Sequence, residues 1–261
     1  LLFGDKYRVK IATRNVNIPG IQNFRDLGGY PSYPGKKQMR WGMIYRSAEI
    51  DSLEYCSRRE LKNLGIKTLI DLRTPSEIGR QSPLQKGFNV VHIPLATGDM
   101  EDILQGIREE KIKCDTVYRM VERMNRTLID KYTKEYRQIF DILLDKNSYP
   151  VVIHCSSGKG RTGIVSALVL AALGVNEDII MEDYRLSNDY FNIPRASKYA
   201  YRLPTRSQEA ITTLFSARED FLNAAKDEAE RKYGDMDTYL QKGIGLSKDE
   251  IKRLRSILLS D

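Results

Sequence analysis

Residues 150–174 read PVVIHCSSGKGRTGIVSALVLAALG. A β-branched run comes first, then a glycine-rich turn, then an apolar stretch closed by glycine. Pro150 to His154 has the length and composition of a buried strand. Arg161 to Leu173 is apolar on nearly every face and reads as a buried helix that ends at Gly174. A loop between such elements aims backbone N–H groups at one point, and the helix N-terminus adds partial positive charge there. The result is a cradle for an oxyanion. Gly158 and Gly160 let the backbone turn tightly and approach a ligand closely.

Outward from this stretch, Ile66 to Leu72 and Asn89 to Leu95 repeat the pattern of short buried strands, and Trp41 to Arg46 fits another. Helical patterns separate them. Ser57 and Glu60 form a capping-box pair before Leu61 and Leu64, with Gly65 as the stop. Asp99 to Asn147 reads as two helices with a break before Asp115. Asn176 to Ser187 is amphipathic, Glu209 to Tyr233 reads as one late helix, and Ser247 with Glu250 caps a last helix reaching Leu259. Strands alternating with helices specify an α/β fold, a central mostly parallel sheet flanked by many helices. No linker divides the chain, so 1–261 is read as a single domain, with residues 1–20 as an irregular N-terminal extension.

The chain has 261 residues, 41% hydrophobic and 30% charged, which excludes collagen, general disorder and a disulfide scaffold. No apolar run approaches the ~18–20 residues of a membrane span. The net charge of +7 suits anionic partners. Cys56, Cys114 and Cys155 show no paired spacing, so they are read as reduced thiols, one of them reactive. No metal-ligand pattern is present, and the chemistry below calls for no metal and no cofactor. The chain begins Leu1-Leu2-Phe3 without a Met, so both cytoplasmic and secreted placements stay open as expectations.

Cys155 sits at the mouth of the cradle. Thiols at helix N-termini near arginine ionise at roughly pH 3.5–7.5, which makes this one a nucleophile. Arg161 offers a planar fork matched to two phosphate oxygens. Thr162 can give its hydroxyl to the sulfur when sulfur becomes the leaving group. The N–H groups of Ser156, Ser157, Gly158, Lys159, Gly160 and Arg161 complete a phosphate site. A nucleotide-binding P-loop is excluded: G-x-x-x-x-G-K-[ST] would need glycine at Ile153, and Lys159 is followed by Gly160. His154, next to the nucleophile, is expected to hold the loop by hydrogen bonds and support the thiolate. Asp71 and Arg73, at a strand end, either face the ligand crevice or clamp a loop, and the clamp is the favoured reading.

Cys155 to Thr162 matches the Cys-x5-Arg-[Ser/Thr] signature of the cysteine-based protein tyrosine phosphatase superfamily. The loop itself resembles that of the phosphatase-and-tensin lipid phosphatases. The rest of the chain is similar to the bacterial tyrosine/serine phosphatases: NFRDLGG at 23–29, YRS at 45–47, DLR at 71–73, DYRLSN at 183–188, YGDMDTYL at 233–240 and LSKDEIKRLRSILL at 246–259. Many of those carry Asp between the loop Lys and Arg, where this chain has Gly160.

The resemblance implies hydrolysis of phosphotyrosine, and of phosphoserine, phosphothreonine or phosphoinositides, through a cysteinyl-phosphate. It places the general acid on the loop after His92-Ile93-Pro94-Leu95, hence Asp99, with Glu101 and Asp102 behind it. Lys159 is expected at the pocket rim, meeting an additional substrate phosphate. Arg25 and Asp26 either brace the phosphate loop or face the substrate. Arg195, Lys198, Arg202 and Arg206, interleaved with Tyr199 and Tyr201, form a basic run that can touch an anionic membrane or remain a solvated surface. No nucleic-acid motif accompanies it. Three rivals are a binding module without turnover, a rhodanese-type sulfur transferase and an arsenate reductase. Rhodanese loops have a shorter Cys-to-Arg spacing, and arsenate reduction needs resolving cysteines that Cys56 and Cys114 do not supply by spacing.

Overall fold

The structure is a computed structural model and describes residues 2–3, 7–8, 12–33, 36–51, 55–78, 87–98, 100–196 and 200–260. The strands are β1 (Leu2–Phe3), β2 (Tyr7–Arg8), β3 (Arg25–Asp26), β4 (Pro31–Ser32), β5 (Lys37–Gln38), β6 (Ile44–Ser47), β7 (Thr68–Asp71), β8 (Asn89–His92) and β9 (Val151–His154). The helices are α1 (Tyr55–Asn63), α2 (Pro75–Ile78), α3 (Met100–Arg108), α4 (Cys114–Lys131), α5 (Thr133–Leu144), α6 (Gly160–Ala172) and α7 (Glu177–Arg185). Then follow α8 (Ser187–Tyr190), α9 (Ile193–Ala196), α10 (Thr205–Phe215), α11 (Glu219–Tyr233), α12 (Met236–Thr238) and α13 (Lys248–Leu258).

Five strands form the central sheet in the order β3-β6-β9-β7-β8. The pairs β6·β9, β9·β7 and β7·β8 are parallel, and β3 runs antiparallel at one edge. The α/β fold with a mostly parallel sheet is therefore the one the alternating strands and helices specify. β9 shows why its sequence has no polar face. Val151, Ile153 and Cys155 turn to one hydrophobic cluster and Val152 to another, so both sides of the strand are covered. The larger cluster includes Leu143 of α5, Leu168 of α6 and Leu258 of α13. The smaller includes Ile18, Phe24 and Leu61 of α1. Each such aliphatic side chain contributes roughly 1.5–3 kcal/mol by leaving water.

A third cluster joins Ile103 and Ile107 of α3, Val117 of α4 and Ala210, Ile211 and Leu214 of α10. It forms a helical cover on the side where the parallel strands end.

Several sequence expectations are corrected. Residues 1–20 are not wholly irregular, since β1 and β2 pair antiparallel, Leu2 with Arg8 and Phe3 with Tyr7. Ser57 does not cap a helix. It lies inside α1, and its hydroxyl donates to the Pro19 carbonyl at 2.6 Å. Residues 99–147 hold a second break, at Tyr132, whose hydroxyl both accepts from Ala96 N and donates to Ala96 O. The span 209–233 is two helices, because the Asn188 side chain takes over the backbone bonds of Ala217: its Oδ1 accepts from Ala217 N and its Nδ2 donates to Ala217 O. The Ser247–Glu250 capping box is present in both directions.

Candidate active site

The parallel register puts Ser47, Asp71 and His154 side by side at the ends of β6, β7 and β9. The loops that follow these strands converge, and the Cys155–Lys159 loop is held between them. Ser156 O accepts from Glu49 N, and His154 O from Leu72 N. Gly158 has φ +68°, and a Cβ there would stand 2.4 Å from the carbonyl of Ser47. No other residue can bring the loop this close to β6.

From below, the loop carbonyls are gripped by buried side chains. Asn23 Nδ2 donates to Ser157 O (3.1 Å) and Gly158 O (3.0 Å). Arg46 Nη2 donates to Gly158 O (2.8 Å). These bonds fix the loop carbonyls, while Gly158 N is turned to the Cys155 sulfur. Arg25 donates to Asn23 Oδ1 and to Asp183 Oδ1, and Arg46 donates to Asp183 Oδ2 at 2.6 Å. Burial alone would push the Asp183 carboxyl up, but the charges of Arg25 and Arg46 hold it below the usual carboxylate range. Arg25 thus sits in the bracing under the loop. Asp26 does not reach the loop: its carboxylate accepts from Gly28 N and Gly42 N, both at 2.7 Å.

Cys155 is 2% exposed, and Gly158 N donates to its Sγ at 3.3 Å. Burial opposes ionisation of this thiol. The Arg161 charge, the Thr162 hydroxyl and the N–H groups of Thr162 and Gly158 outweigh it, and the thiol is held below its ordinary value. The Arg161 fork makes a two-pronged pair with Glu77 of α2, at 2.7 and 2.6 Å, and Ser156 Oγ donates to the same carboxylate at 2.7 Å. Burial would raise the Glu77 carboxyl; Arg161, with Thr74 N and Ser156, brings it to about 2. Glu77 had a local signal in the sequence, since Thr74-Pro75-Ser76-Glu77 is a capping-box pattern with proline at the first helical position. Nothing in that pattern points to Arg161.

Asp71 and Arg73 pair with each other at 2.8 Å, and Arg73 also grips Asp51 at 2.7 and 3.0 Å. Both lie beneath the site as a clamp between the loops after β6 and β7. His154 is buried, which pushes its imidazole down to about 4, against the pull of Asp71. Its Nδ1 has no hydrogen-bond partner, so the expected loop-holding bond is not made from that atom.

Above the loop is a cavity of about 80 Å³. Cys155, Lys159 and Arg161 line it from the loop and the start of α6, and Met100, Val121, Met124, Leu128, Leu214 and Phe215 from α3, α4 and α10. Lys159 is not at the rim. It is 3% exposed, with Nζ 4.8 Å from the Phe191 ring centre and 5.0 Å from that of Phe215. The correction has a tertiary cause: the end of α10, some 55 residues on, folds over the loop. Asn125 of α4 lines the same cavity, and sequence reasoning did not single it out. Asp99 lies outside the described residues. Glu101 and Asp102 lie on the exposed face of α3. Of the basic run, Arg202 and Arg206 are exposed, Arg195 falls in α9, and Lys198 and Tyr199 are outside the described residues. Among the described residues no cluster of His, Cys, Asp and Glu is arranged to hold a metal ion. Among the described residues no helix is long and apolar enough to cross a membrane.

What the loop is fitted to hold is a tetrahedral anion set against a sulfur atom, and that defines the class of the Cys-x5-Arg phosphatases. The chain belongs to the tyrosine phosphatase family, whose model matches residues 16–260. It is a hydrolase of phosphoric monoesters, of the tyrosine or dual-specificity type. It is 28% identical to the triple specificity protein phosphatase PtpB of Mycobacterium tuberculosis, over 93% of this chain and 98% of that one. It is 27% identical to a putative tyrosine-protein phosphatase of Cupriavidus necator, over 89% of this chain and 85% of that one. Among solved structures, TpbA of P. aeruginosa is 16% identical with a TM-score of 0.33, covering 70% of this chain and 96% of that one.

Proposed function

We propose that the chain hydrolyses aryl phosphate monoesters, phosphotyrosine in proteins first among them, through a cysteinyl-phosphate on Cys155. The observation that carries this is Cys155 itself, with Gly158 N donating to its sulfur and its thiol held below its ordinary value by Arg161, Thr162 and Gly158. The sulfur attacks phosphorus in line. The N–H groups of Ser156 to Arg161 and the guanidinium of Arg161 take the equatorial oxygens, and preset dipoles of this kind supply most of the rate. Water then attacks the cysteinyl-phosphate, and Thr162, whose buried hydroxyl has no other partner, supports the departing thiolate.

The apolar walls favour an aromatic leaving group over a polyol. Met124, Leu128, Leu214 and Phe215 offer a ring dispersion contacts, and the polar side chains beside them, Asn125 and Lys159 among them, are too few for the several hydroxyls of an inositol. The cavity of about 80 Å³ is well below the ~300–1,000 Å³ of ordinary ligand sites. The test is phosphate release, side by side, from a phosphotyrosine peptide and from phosphoinositides, with Cys155→Ser as control. A kcat/KM preference for the peptide is expected. A preference for the lipid would overturn the aryl reading, and release from neither would favour a binding module.

A further inference from the structure

Breaking an aryl ester needs a proton for the departing oxygen, since a phenoxide is a poor leaving group at neutral pH. Sequence reasoning looks for a carboxyl. Among the described residues that line the cavity there is none. The nearby Glu77 carboxylate is committed to Arg161, Ser156 and Thr74 and sits at about 2, so it carries no proton to give. Tyr184 of α7 also lines the cavity, but burial holds its phenol above the ordinary range.

One nitrogen in the wall is placed differently. Lys159 Nζ is buried, has no hydrogen-bond partner and rests against the stacked pair Phe191 and Phe215, 4.8 and 5.0 Å from their ring centres. The two rings fix where the ammonium stands without consuming any of its three N–H bonds. Asn125 Nδ2, in the same wall, is buried and unpartnered too. Two idle donors lining the cavity that Cys155 also lines call for an oxygen of the substrate.

We propose that Lys159 is the general acid of this reaction. As the Cys155 sulfur bonds to phosphorus and the bond from phosphorus to the leaving oxygen breaks, one Nζ–H proton passes to that oxygen. The phenol departs neutral and Lys159 is left as the free amine. In the second step the amine takes a proton from the attacking water, the new oxygen–phosphorus bond forms, and the sulfur leaves as thiolate. Thiolate and ammonium are both restored, and the sum is ester plus water giving phenol plus phosphate. Asn125 positions the leaving oxygen.

The surroundings allow the cycle. Burial pushes the ammonium down to about 7, against the pull of the Cys155 thiolate, so both protonation states are accessible near neutral pH. The charged or titratable groups lining the cavity with it are Cys155 and Arg161 from the loop and α6, and Tyr184 from α7. α4 adds the uncharged Asn125, and the end of α10 adds Phe215 and Ser216.

The inference rests on the phosphatase reading above, and its test separates the two. kcat/KM is measured for phenyl phosphate, whose leaving oxygen needs the proton, and for 2,4-dinitrophenyl phosphate, whose leaving oxygen does not. Wild type, Lys159→Arg, Asp99→Asn and Cys155→Ser are compared. Arginine keeps the positive charge but holds its proton at any working pH. Lys159→Arg should lose about tenfold or more on phenyl phosphate beyond its loss on the dinitrophenyl ester, within the ~10²–10⁴ a general acid supplies. Equal losses on the two esters, or a leaving-group-selective loss in Asp99→Asn instead, would overturn the proposal. In case Lys159→Arg does not fold, wild type is followed alone from about pH 5.5 to about pH 8.5. The phenyl-to-dinitrophenyl ratio should fall as pH passes about 7, and a constant ratio would overturn the proposal. Turnover by Cys155→Ser would strike the phosphatase reading rather than the lysine.

Discussion

Adding one methyl group to Gly158 should dislodge the phosphate loop. The new Cβ would stand 2.4 Å from both C and O of Ser47 and 2.5 Å from Ala48 N. Ordinary contacts begin near 3.4 Å, so the loop and the end of β6 must separate by about 1 Å. The φ of +68° adds a penalty of about 1–2 kcal/mol for any residue with a Cβ. Overpacking of this kind costs about 1–3 kcal/mol more. The same separation strains the bonds from Asn23 and Arg46 to the loop carbonyls. A misplacement of about 1 Å typically costs catalysis about 10²-fold. Gly158→Ala should therefore lose about 2–5 kcal/mol in urea unfolding and about 100-fold in kcat/KM on an aryl phosphate. Gly160→Ala is the stability control, because its Cβ would meet no atom within 4 Å. It should unfold at the wild-type urea concentration or slightly above. Gly158→Ala with stability and kcat/KM both near wild type would refute the claim that this contact sets the loop's height.

Two further outcomes concern the buried charges. Asp183→Asn leaves the guanidiniums of Arg25 and Arg46 without their carboxylate, and breaking such a buried pair costs about 3–5 kcal/mol. Urea unfolding should show that loss, and a change under about 1 kcal/mol would mean other groups carry the charge. His154 gives a pH signature: its folded pKa of about 4 lies below the ordinary 6.5, so the unfolded chain takes up the proton first as pH falls. Its contribution is complete above pH 6.5 and is lost on the way down to about pH 4, about 3 kcal/mol in all. Comparing wild type with His154→Gln across that range should remove one proton from the slope of stability against pH, and parallel slopes would contradict it.

How much of this was readable beforehand follows the range of the interactions. The stretch 150–174 carries its own strand, loop and helix, because each is decided by neighbours in sequence: the apolar run of β9, the glycines of the turn and the apolar α6. The Ser247–Glu250 box was equally local. What was not readable depends on partners brought from far away. Arg161 meets Glu77 across 84 residues, and Arg25 meets Asp183 across 158. Asn23, Arg46 and Asp183 all sit in short motifs of the sequence, yet their joint task under the loop exists only once β3, β6 and α7 have been assembled. Lys159 shows the same limit. An exposed lysine is the default for a loop, and only the packing of Phe191 and Phe215 above it takes this one out of water. The break at Ala217 also has no local cause, since the side chain of Asn188 makes it.

The most direct test of Cys155 as the atom that receives phosphorus is acid quenching during turnover. A phosphotyrosine peptide carrying labelled phosphate is mixed with enzyme, stopped in acid within one turnover, and digested. The expected result is label on the peptide that contains Cys155, and none with Cys155→Ser. Rapid phosphate release with no label on that peptide, or turnover by Cys155→Ser, would contradict the covalent mechanism.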